Sequence, residues 1–181
     1  GQNVTQVAIL TNATADDAGP RIVTSGAGHT WVTWWRNAAP PQVLLLKRTY
    51  PALTWSAEKA LSSAGEDSRY PRIAHDGTKA WVAFEIEGTQ ATSIAVTGGD
   101  DPGPFPSRTI VASTTYAGDR DLTISAESGH LWITWVDSST NVGWVSYNYG
   151  TGIWGGVNDE SYAGDSVTAA RGRIRTTVLS Q

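Results

Sequence analysis

Residues 28–34 read GHTWVTW and residues 129–135 read GHLWITW, so the chain contains nearly the same seven-residue sequence twice. Between the two copies, residues 79–84 read KAWVAF, which is an aligned and weaker third version. Each version alternates large apolar residues with smaller ones, as a β-strand with two different faces does. Repetition of this kind indicates an architecture in which one small structural unit is used several times.

The repeated unit contains four short strands, which we denote a, b, c and d in chain order. The b strands carry two aromatic positions, occupied first by Trp31, Trp81 and Trp132 and then by Trp34, Phe84 and Trp135. The c strands are predicted at residues 42–49, 92–98 and 141–148, and the d strands at 55–63, 107–114 and 154–161. Residues 98–106, GGDDPGPFP, are predicted to be a c–d loop inside one unit. We expect the repeated aromatics to form core between neighbouring units.

The pattern predicts an all-β protein. Strands are short, turns are rich in Gly, Pro, Asn and Asp, and no segment shows the spacing of an amphipathic helix. A four-stranded antiparallel unit of about 40 to 50 residues is typical of a β-propeller blade. A β-sandwich of similar strands is the alternative, although it does not require this regularity.

The ends of the chain predict how a propeller would close. Three blades are expected at residues 20–66, 67–118 and 119–164, in one domain spanning 1–181. Residues 1–19 supply a d strand and residues 165–181 supply an a and a b strand, which together make a composite blade without strand c. Either the chain closes a four-bladed ring, or it is a segment of a larger ring completed by a second copy or another chain. An unpaired strand edge needs a partner in both cases.

Composition limits the partners. The formal net charge is -4, whereas a nucleic-acid-binding domain needs a clustered basic excess. No apolar run reaches the length of about 18 residues that a membrane span needs, so no membrane partner is expected. The chain lacks cysteine and is poor in lysine but rich in Thr, Ser, Gly and Asn. This amino-acid composition is typical of secreted or virion-exposed β proteins, so we expect an extracellular location.

The loops that connect a d strand to the next a strand share Asp, Arg and Tyr. In a propeller these loops emerge on one face together with the b–c loops, where Trp35 stands without a counterpart in the other units. Asp accepts hydrogen bonds from sugar hydroxyls, Arg is a two-pronged donor, and Tyr offers a flat ring with a polar tip. The candidate ligand-binding residues are Trp35, Arg36, Asp67, Arg69, Tyr70, Tyr116, Asp119, Arg120, Tyr162 and Asp165. Trp144, Tyr147 and Tyr149 are further aromatics outside the repeat.

A structural interpretation stands beside this one. Asp before a strand commonly makes the turn itself, and the Arg residues can simply pair with it. His29, His75 and His130 fall in separate a–b turns, which does not suit a zinc site. No phosphate-binding loop, nucleophile elbow or thiol is present. We therefore expect no catalytic residue, no metal and no cofactor.

The stretch RTYPALTW at residues 48–55 matches the end of an Asp box, S-x-D-x-G-x-T-W, through Thr54 and Trp55. With the strand layout, this resembles the sialidase-like, Asp-box (BNR) repeat β-propeller superfamily, with degenerate boxes. The resemblance implies a propeller fold. Sialidases of this superfamily use an arginine triad, a Tyr–Glu pair and an Asp, and these do not map onto this chain residue by residue. The first arginine of the triad usually stands in the sequence R-I-P, whereas residues 20–22 and 71–73 read P-R-I.

Three functions follow. The preferred one is a non-catalytic binding module for a glycan or another polar ligand. The second is a structural or protein-interaction scaffold completed by oligomerisation. The third is a sialidase-like glycoside hydrolase fragment, which would need two carboxylates about 5 to 10 Å apart across a bound sugar.

Overall fold

The computed structural model describes residues 11, 14–89, 91–100, 105, 108–114, 122–127, 129–136 and 141–161. These residues form three antiparallel β-sheets and no helix. The all-β prediction is therefore confirmed for this part of the chain.

Each sheet is a meander in which consecutive strands are neighbours. Sheet 1 contains β1 (Asp17–Thr24), β2 (Thr30–Arg36), β3 (Gln42–Thr49), β4 (Thr54–Trp55) and β5 (Lys59–Ala60). Sheet 2 contains β6 (Asp67–His75), β7 (Lys79–Glu87), β8 (Thr92–Asp100) and β9 (Thr109–Thr114). Sheet 3 contains β10 (Thr123–Glu127), β11 (His130–Val136), β12 (Asn141–Asn148), β13 (Ile153–Trp154) and β14 (Asn158–Ser161). The predicted order a, b, c, d is thus found in all three sheets.

The d strand is where the prediction was wrong. Residues 55–63 and 154–161 were each expected to form one strand, but both are divided into two short pieces that pair with the same c strand. In sheet 1 the first piece ends at Ser56, whose N–H and Oγ both bond to the backbone of Lys47. The chain then leaves the sheet, and Glu58 binds Arg36 instead. A broken outer strand offers little edge for pairing with another molecule.

The first aromatic of a b strand, which we call the lead tryptophan, faces the next sheet in sheets 1 and 2 (Trp31 and Trp81), and the second aromatic faces the preceding sheet in sheets 2 and 3 (Phe84 and Trp135). Trp31 packs with Val82 and Phe84 in the core between sheets 1 and 2, together with Phe105 from the predicted c–d loop. The core between sheets 2 and 3 contains Trp81, Ala83, Ile94, Val96, Ala112, Leu122, Leu131, Ile133, Trp135 and Val145. Of the six repeated aromatics, all except Trp132 are buried, and Trp132 is half-buried. Their predicted role in the core between neighbouring units is confirmed for Trp31, Trp81, Phe84 and Trp135, whereas Trp34 is buried in a cluster of sheet 1 residues.

Two of these tryptophans lie over glycines of the neighbouring strand. Trp81 pairs with Gly98, where an added Cβ would lie 2.5 Å from Cε3 of the indole, and Trp135 covers Gly143 in the same way. Bare backbone therefore makes room for an indole at both cross-strand positions.

The first strands of the sheets lie beside one another. Strand β6 contacts β1, β2 and β3 of sheet 1 and also β10 of sheet 3. The a strands of consecutive sheets are thus neighbours, and residues close to their starts can meet across the boundary between two sheets.

A β-bulge interrupts β1 and β6 at the same place. The register shifts between Ala18 and Arg21 in β1 and between Arg69 and Arg72 in β6. In both strands the bulge contains a left-handed residue followed by proline: Gly19 has φ 59° and Tyr70 has φ 54°. Gly19 and Tyr70 therefore occupy equivalent positions of the repeat.

The aspartates that precede the two Pro-Arg-Ile sequences, Asp17 and Asp67, are not equivalent once the two bulges are aligned. Asp17 stands two residues before Gly19, whereas Asp67 stands three residues before Tyr70. The two carboxylates are consequently out of register by one residue, and each opens a strand instead of lying in a loop.

Candidate functional site

Four of the predicted residues come together where β2 meets the start of β6. The rings of Trp35 and Tyr70 pack edge to face, with centroids 6.0 Å apart and planes at 61°. The guanidinium carbon of Arg69 lies 5.5 Å from the centre of the Trp35 ring, and Arg69 binds Asp67. We call this group, Trp35, Asp67, Arg69 and Tyr70, the Trp35–Tyr70 surface.

Trp35 lies in strand β2 and not in the b–c loop where it was predicted, and the bulge of its own sheet positions it. It pairs with Ala18 in β1, immediately before left-handed Gly19. A Cβ at Gly19 would lie 3.2 Å from the indole Nε1, so the glycine allows the indole to pack closely against the backbone. Trp35 also packs at the margin of the core between sheets 1 and 2 and is half-buried. One side of the ring is therefore anchored, and its position is set by the fold.

Tyr70 holds an unfavourable backbone conformation. For a residue with a Cβ, the left-handed region costs roughly 1–3 kcal/mol, and Gly19 avoids this cost at the equivalent position. The side chain of Tyr70 is half-buried and reaches from sheet 2 to Trp35 of sheet 1. The aromatic contact between the two sheets offsets part of the strain.

Arg69 is fixed in a charged state by its neighbour on the same strand. Its Nε and Nη2 donate to the two oxygens of Asp67 at 2.6 and 2.9 Å, which is a two-pronged pair. The hydrogen bond to Asp67 is the main reason why the pKa of Arg69 is raised, and it outweighs the effect of burial. Since guanidinium has five N–H donors, the pair with Asp67 uses two of them.

Arg36 does not join this surface. It follows Trp35 in β2 and therefore points to the other face of sheet 1. Its donors bind Asp17 at 2.8 Å, Glu58 at 2.8 Å and Thr11 at 2.7 Å. The hydrogen bonds to Glu58 and then to Asp17 raise the pKa of Arg36. Burial alone would raise the pKa of Asp17, but the bond from Arg36 helps to lower it. Arg36 thus ties three segments of sheet 1 together.

The remaining candidates lie outside the described residues. They are Tyr116, Asp119, Arg120, Tyr162 and Asp165. Their membership of a common face with Trp35 stays a prediction.

The other aromatics outside the repeat have packing partners. Tyr147 and Tyr149 stand with ring centroids 5.4 and 5.7 Å from that of Trp81, and both pack against the core between sheets 2 and 3. Trp144 lies 5.5 Å from Trp132 on the face of sheet 3 that points away from sheet 2. Of the unrepeated aromatics considered from the sequence, Trp35 is the one that meets Arg and Tyr near the sheet 1–sheet 2 boundary.

Each histidine has a hydrogen-bond partner at a turn, His75 in its own turn and His29 and His130 at the end of the c strand of their sheet. His29 Nδ1 accepts from the N–H of Tyr50 at 2.9 Å, and His75 Nδ1 accepts from Gly77 at 3.0 Å. His130 Nε2 lies 3.1 Å from Asn148 Nδ2. Within the described part of the chain, no three His, Cys, Asp or Glu side chains are grouped so that they could hold a metal ion.

One buried acid was not anticipated. Glu85 is fully buried and stands four residues after Trp81, just as Trp35 stands four residues after Trp31. Strand alternation puts Glu85 on the same side as Trp81 and Ala83, so the pattern could have identified it. Sheet 2 therefore has a carboxylate where sheet 1 has the indole of the candidate site.

No known protein family and no curated protein matches this chain. No helix in the described part is long and apolar enough to cross a membrane.

Proposed function

We propose that this chain is a non-catalytic β-propeller module that binds a glycan at the Trp35–Tyr70 surface. The observation that carries the proposal is Tyr70, which keeps a strained left-handed backbone at a bulge where sheet 1 uses glycine. Strain of this kind concentrates at functional positions. Here it brings a tyrosine beside an indole and a fixed arginine.

The chemistry of the surface suits a sugar. The apolar face of a pyranose ring packs on aromatic rings, and Trp35 and Tyr70 supply two at an angle. Asp67 oxygens accept hydrogen bonds from hydroxyl groups, and Arg69 donates to ring or carboxylate oxygens. Packing and the Arg69–Asp67 pair already hold these groups in place, so their side chains should lose little conformational entropy when a ligand binds.

A hydrolytic role gains no support from this surface. A glycosidase of the usual type needs two carboxyl groups that face each other across the sugar. Among the described residues of the surface, Asp67 is the single carboxylate, and Arg69 neutralises it. The binding function is therefore preferred to the hydrolase fragment.

The arrangement of the sheets supports the propeller. Three sheets share one strand order, their first strands are neighbours, and the lead tryptophans of sheets 1 and 2, Trp31 and Trp81, face the following sheet. On sheet 3 the equivalent face carries Trp132 and Trp144. On the opposite side of sheet 1, Trp34, Leu44 and Leu46 form a further buried cluster. We propose that the composite blade of residues 1–19 and 165–181 covers both faces and closes a four-bladed ring.

Light scattering after size exclusion tests the closure. Closure within the chain predicts a monomer of 19.3 kDa. A stable dimer or larger assembly would contradict closure within one chain and would favour the scaffold that oligomerisation completes.

A glycan array tests the function. We expect the wild-type chain to bind a defined set of glycans, and Trp35→Ala and Tyr70→Ala to reduce binding by roughly tenfold or more, the equivalent of about 1.4 kcal/mol. Tyr50→Ala is the matched control, because Tyr50 is an exposed tyrosine at the other end of sheet 1. Absence of any bound glycan, or equal binding by Trp35→Ala and wild type, would refute the proposal.

A further inference from the structure

A groove lies between the outer strands of sheets 1 and 2, and none of its lining residues belongs to the Trp35–Tyr70 surface. It has a volume of about 470 Å³, within the size range of small-molecule sites. Its lining combines residues of β5 and the following segment with residues before and within β9: Lys59, Ala60, Leu61, Ser62, Ser63, Phe105, Arg108 and Ile110.

The charged groups in the lining are both cationic. Lys59 Nζ donates to the carbonyl oxygen of Phe105 at 2.5 Å, a neutral acceptor that leaves the positive charge in place. Arg108 binds Glu66, which is not part of the lining, and donates to Ser63 Oγ. Glu66 neutralises Arg108, so the groove has one net positive charge, that of Lys59, in a chain whose formal net charge is -4.

The base of the groove is apolar. Phe105 and Leu61 are 6% and 9% exposed and belong to the core between sheets 1 and 2. Ile110 on β9 is 48% exposed, so its side chain still has surface that a ligand could cover. A ligand that fits must offer an apolar body as well as an anionic group.

The walls are held in position by hydrogen bonds. The Lys59–Phe105 bond joins the two sides of the groove. Leu61 N–H donates to the carbonyl of Val43 at 2.9 Å, and Ser62 Oγ accepts from the N–H of Val43 at 3.1 Å. The segment that carries Lys59 is thus fixed to strand β3, and the groove is formed before a ligand arrives.

We infer that this groove binds a small organic anion, with its apolar body on Phe105, Leu61 and Ile110 and its carboxylate or sulfate group between Lys59 and Arg108. Guanidinium and ammonium groups together make a strong site for such a group, because both donate charge-assisted hydrogen bonds. The inference is independent of the proposed glycan site.

Calorimetric titration with phenylacetate tests the inference, with neutral phenylacetamide as the matched probe. We expect phenylacetate to bind at least about tenfold more tightly than the amide and to weaken as salt is added. Equal affinity of the acid and the amide, or no binding of phenylacetate at millimolar concentration, would overturn the assignment.

Variants locate the site. Lys59→Gln should weaken phenylacetate binding by roughly tenfold, whereas Lys79→Gln should not, because Lys79 pairs with Asp100 elsewhere. If Lys59→Gln disturbs folding, Ile110→Glu replaces it, since that exposed position can receive a repelling carboxylate without loss of a hydrogen bond. Unchanged affinity in a folded Ile110→Glu variant would contradict the site. Trp35→Ala should leave phenylacetate binding intact whether or not the glycan proposal holds.

Discussion

Asp76, in the turn between β6 and β7, makes four hydrogen bonds, so the loss of stability on its substitution can be worked out bond by bond. Asp76 Oδ1 accepts from the N–H of Thr78 at 2.7 Å, from Thr78 Oγ1 at 2.8 Å and from the N–H of Lys79 at 2.7 Å. Its Oδ2 accepts from the indole Nε1 of Trp81 at 2.8 Å. One carboxylate thus shapes the turn and orients the lead tryptophan of sheet 2.

Asp76→Ala removes all four bonds. Thr78 is exposed and its donors can bond to water, so loss of each of the three turn bonds should cost about 0.5 kcal/mol of stability. Trp81 is 8% exposed, so loss of the acceptor for its indole N–H should cost about 1–2 kcal/mol. The expected loss in the free energy of unfolding is about 2–4 kcal/mol. Asp76→Asn can keep an acceptor for the turn but loses the acceptor for Trp81, so it should cost about 1–2 kcal/mol.

The effect depends on pH with a defined sign. Burial alone would raise the pKa of Asp76, but the hydrogen bonds from Trp81, Lys79 and Thr78 outweigh burial and lower it from 3.8. A carboxylate with a lowered pKa stabilises the fold above its unfolded pKa and loses that contribution as pH falls through its folded pKa. The difference between wild type and Asp76→Asn should therefore be complete at pH 7 and smaller below pH 3.8.

Urea unfolding followed by tryptophan fluorescence measures these differences. Asp100→Ala is the control, because Asp100 is 71% exposed and pairs with Lys79 at 3.2 Å, which should contribute less than about 0.5 kcal/mol. A loss below about 1 kcal/mol for Asp76→Ala, or a penalty for Asp76→Asn that grows at low pH, would refute this account of the turn.

Two further predictions concern backbone geometry and use the same unfolding assay. Gly143→Ala should lower the free energy of unfolding by about 1–3 kcal/mol, because its Cβ would overlap the Trp135 indole. Gly156→Ala is the control and should be nearly neutral, because the space around its Cβ is open. Equal effects of the two substitutions would refute the packing argument. Leu53→Gly should stabilise the chain by up to about 1 kcal/mol, since Leu53 is 52% exposed with φ 56° and sheet 3 has Gly152 at the same place in its turn. A loss of stability in Leu53→Gly would show that its side chain contributes more than the strain costs.

The sequence predicted the parts of the fold that follow from strand alternation. Trp31 and Trp81 lie at corresponding places because a period of two residues decides which face is buried. The same rule placed strand β3 at residues 42–49 and β12 at 141–148, as observed. The local pattern of apolar residues was sufficient to predict strand positions and buried faces wherever the hydrogen-bond ladder between strands is regular.

The parts that failed depend on irregular backbone. The bulge before Arg21 and Arg72 was not predicted; once the two bulges are aligned, Asp17 lies four residues before Arg21 and Asp67 five residues before Arg72, so the two aspartates differ by one position in the sheets. Strand alternation also separates Arg36 from Trp35, although the two are adjacent in the chain. The bulges themselves arise from hydrogen-bond register between strands, which residue type alone does not determine.

The most direct test of the glycan-binding account is an NMR titration of the tryptophan indole N–H groups. The chain has nine tryptophans, and Trp35→Phe identifies the Trp35 signal. On addition of the glycan selected by the array, we predict that the Trp35 signal moves while those of buried Trp31 and Trp34 stay in place. A titration in which other indoles move and Trp35 does not would contradict the assignment of the site to the Trp35–Tyr70 surface.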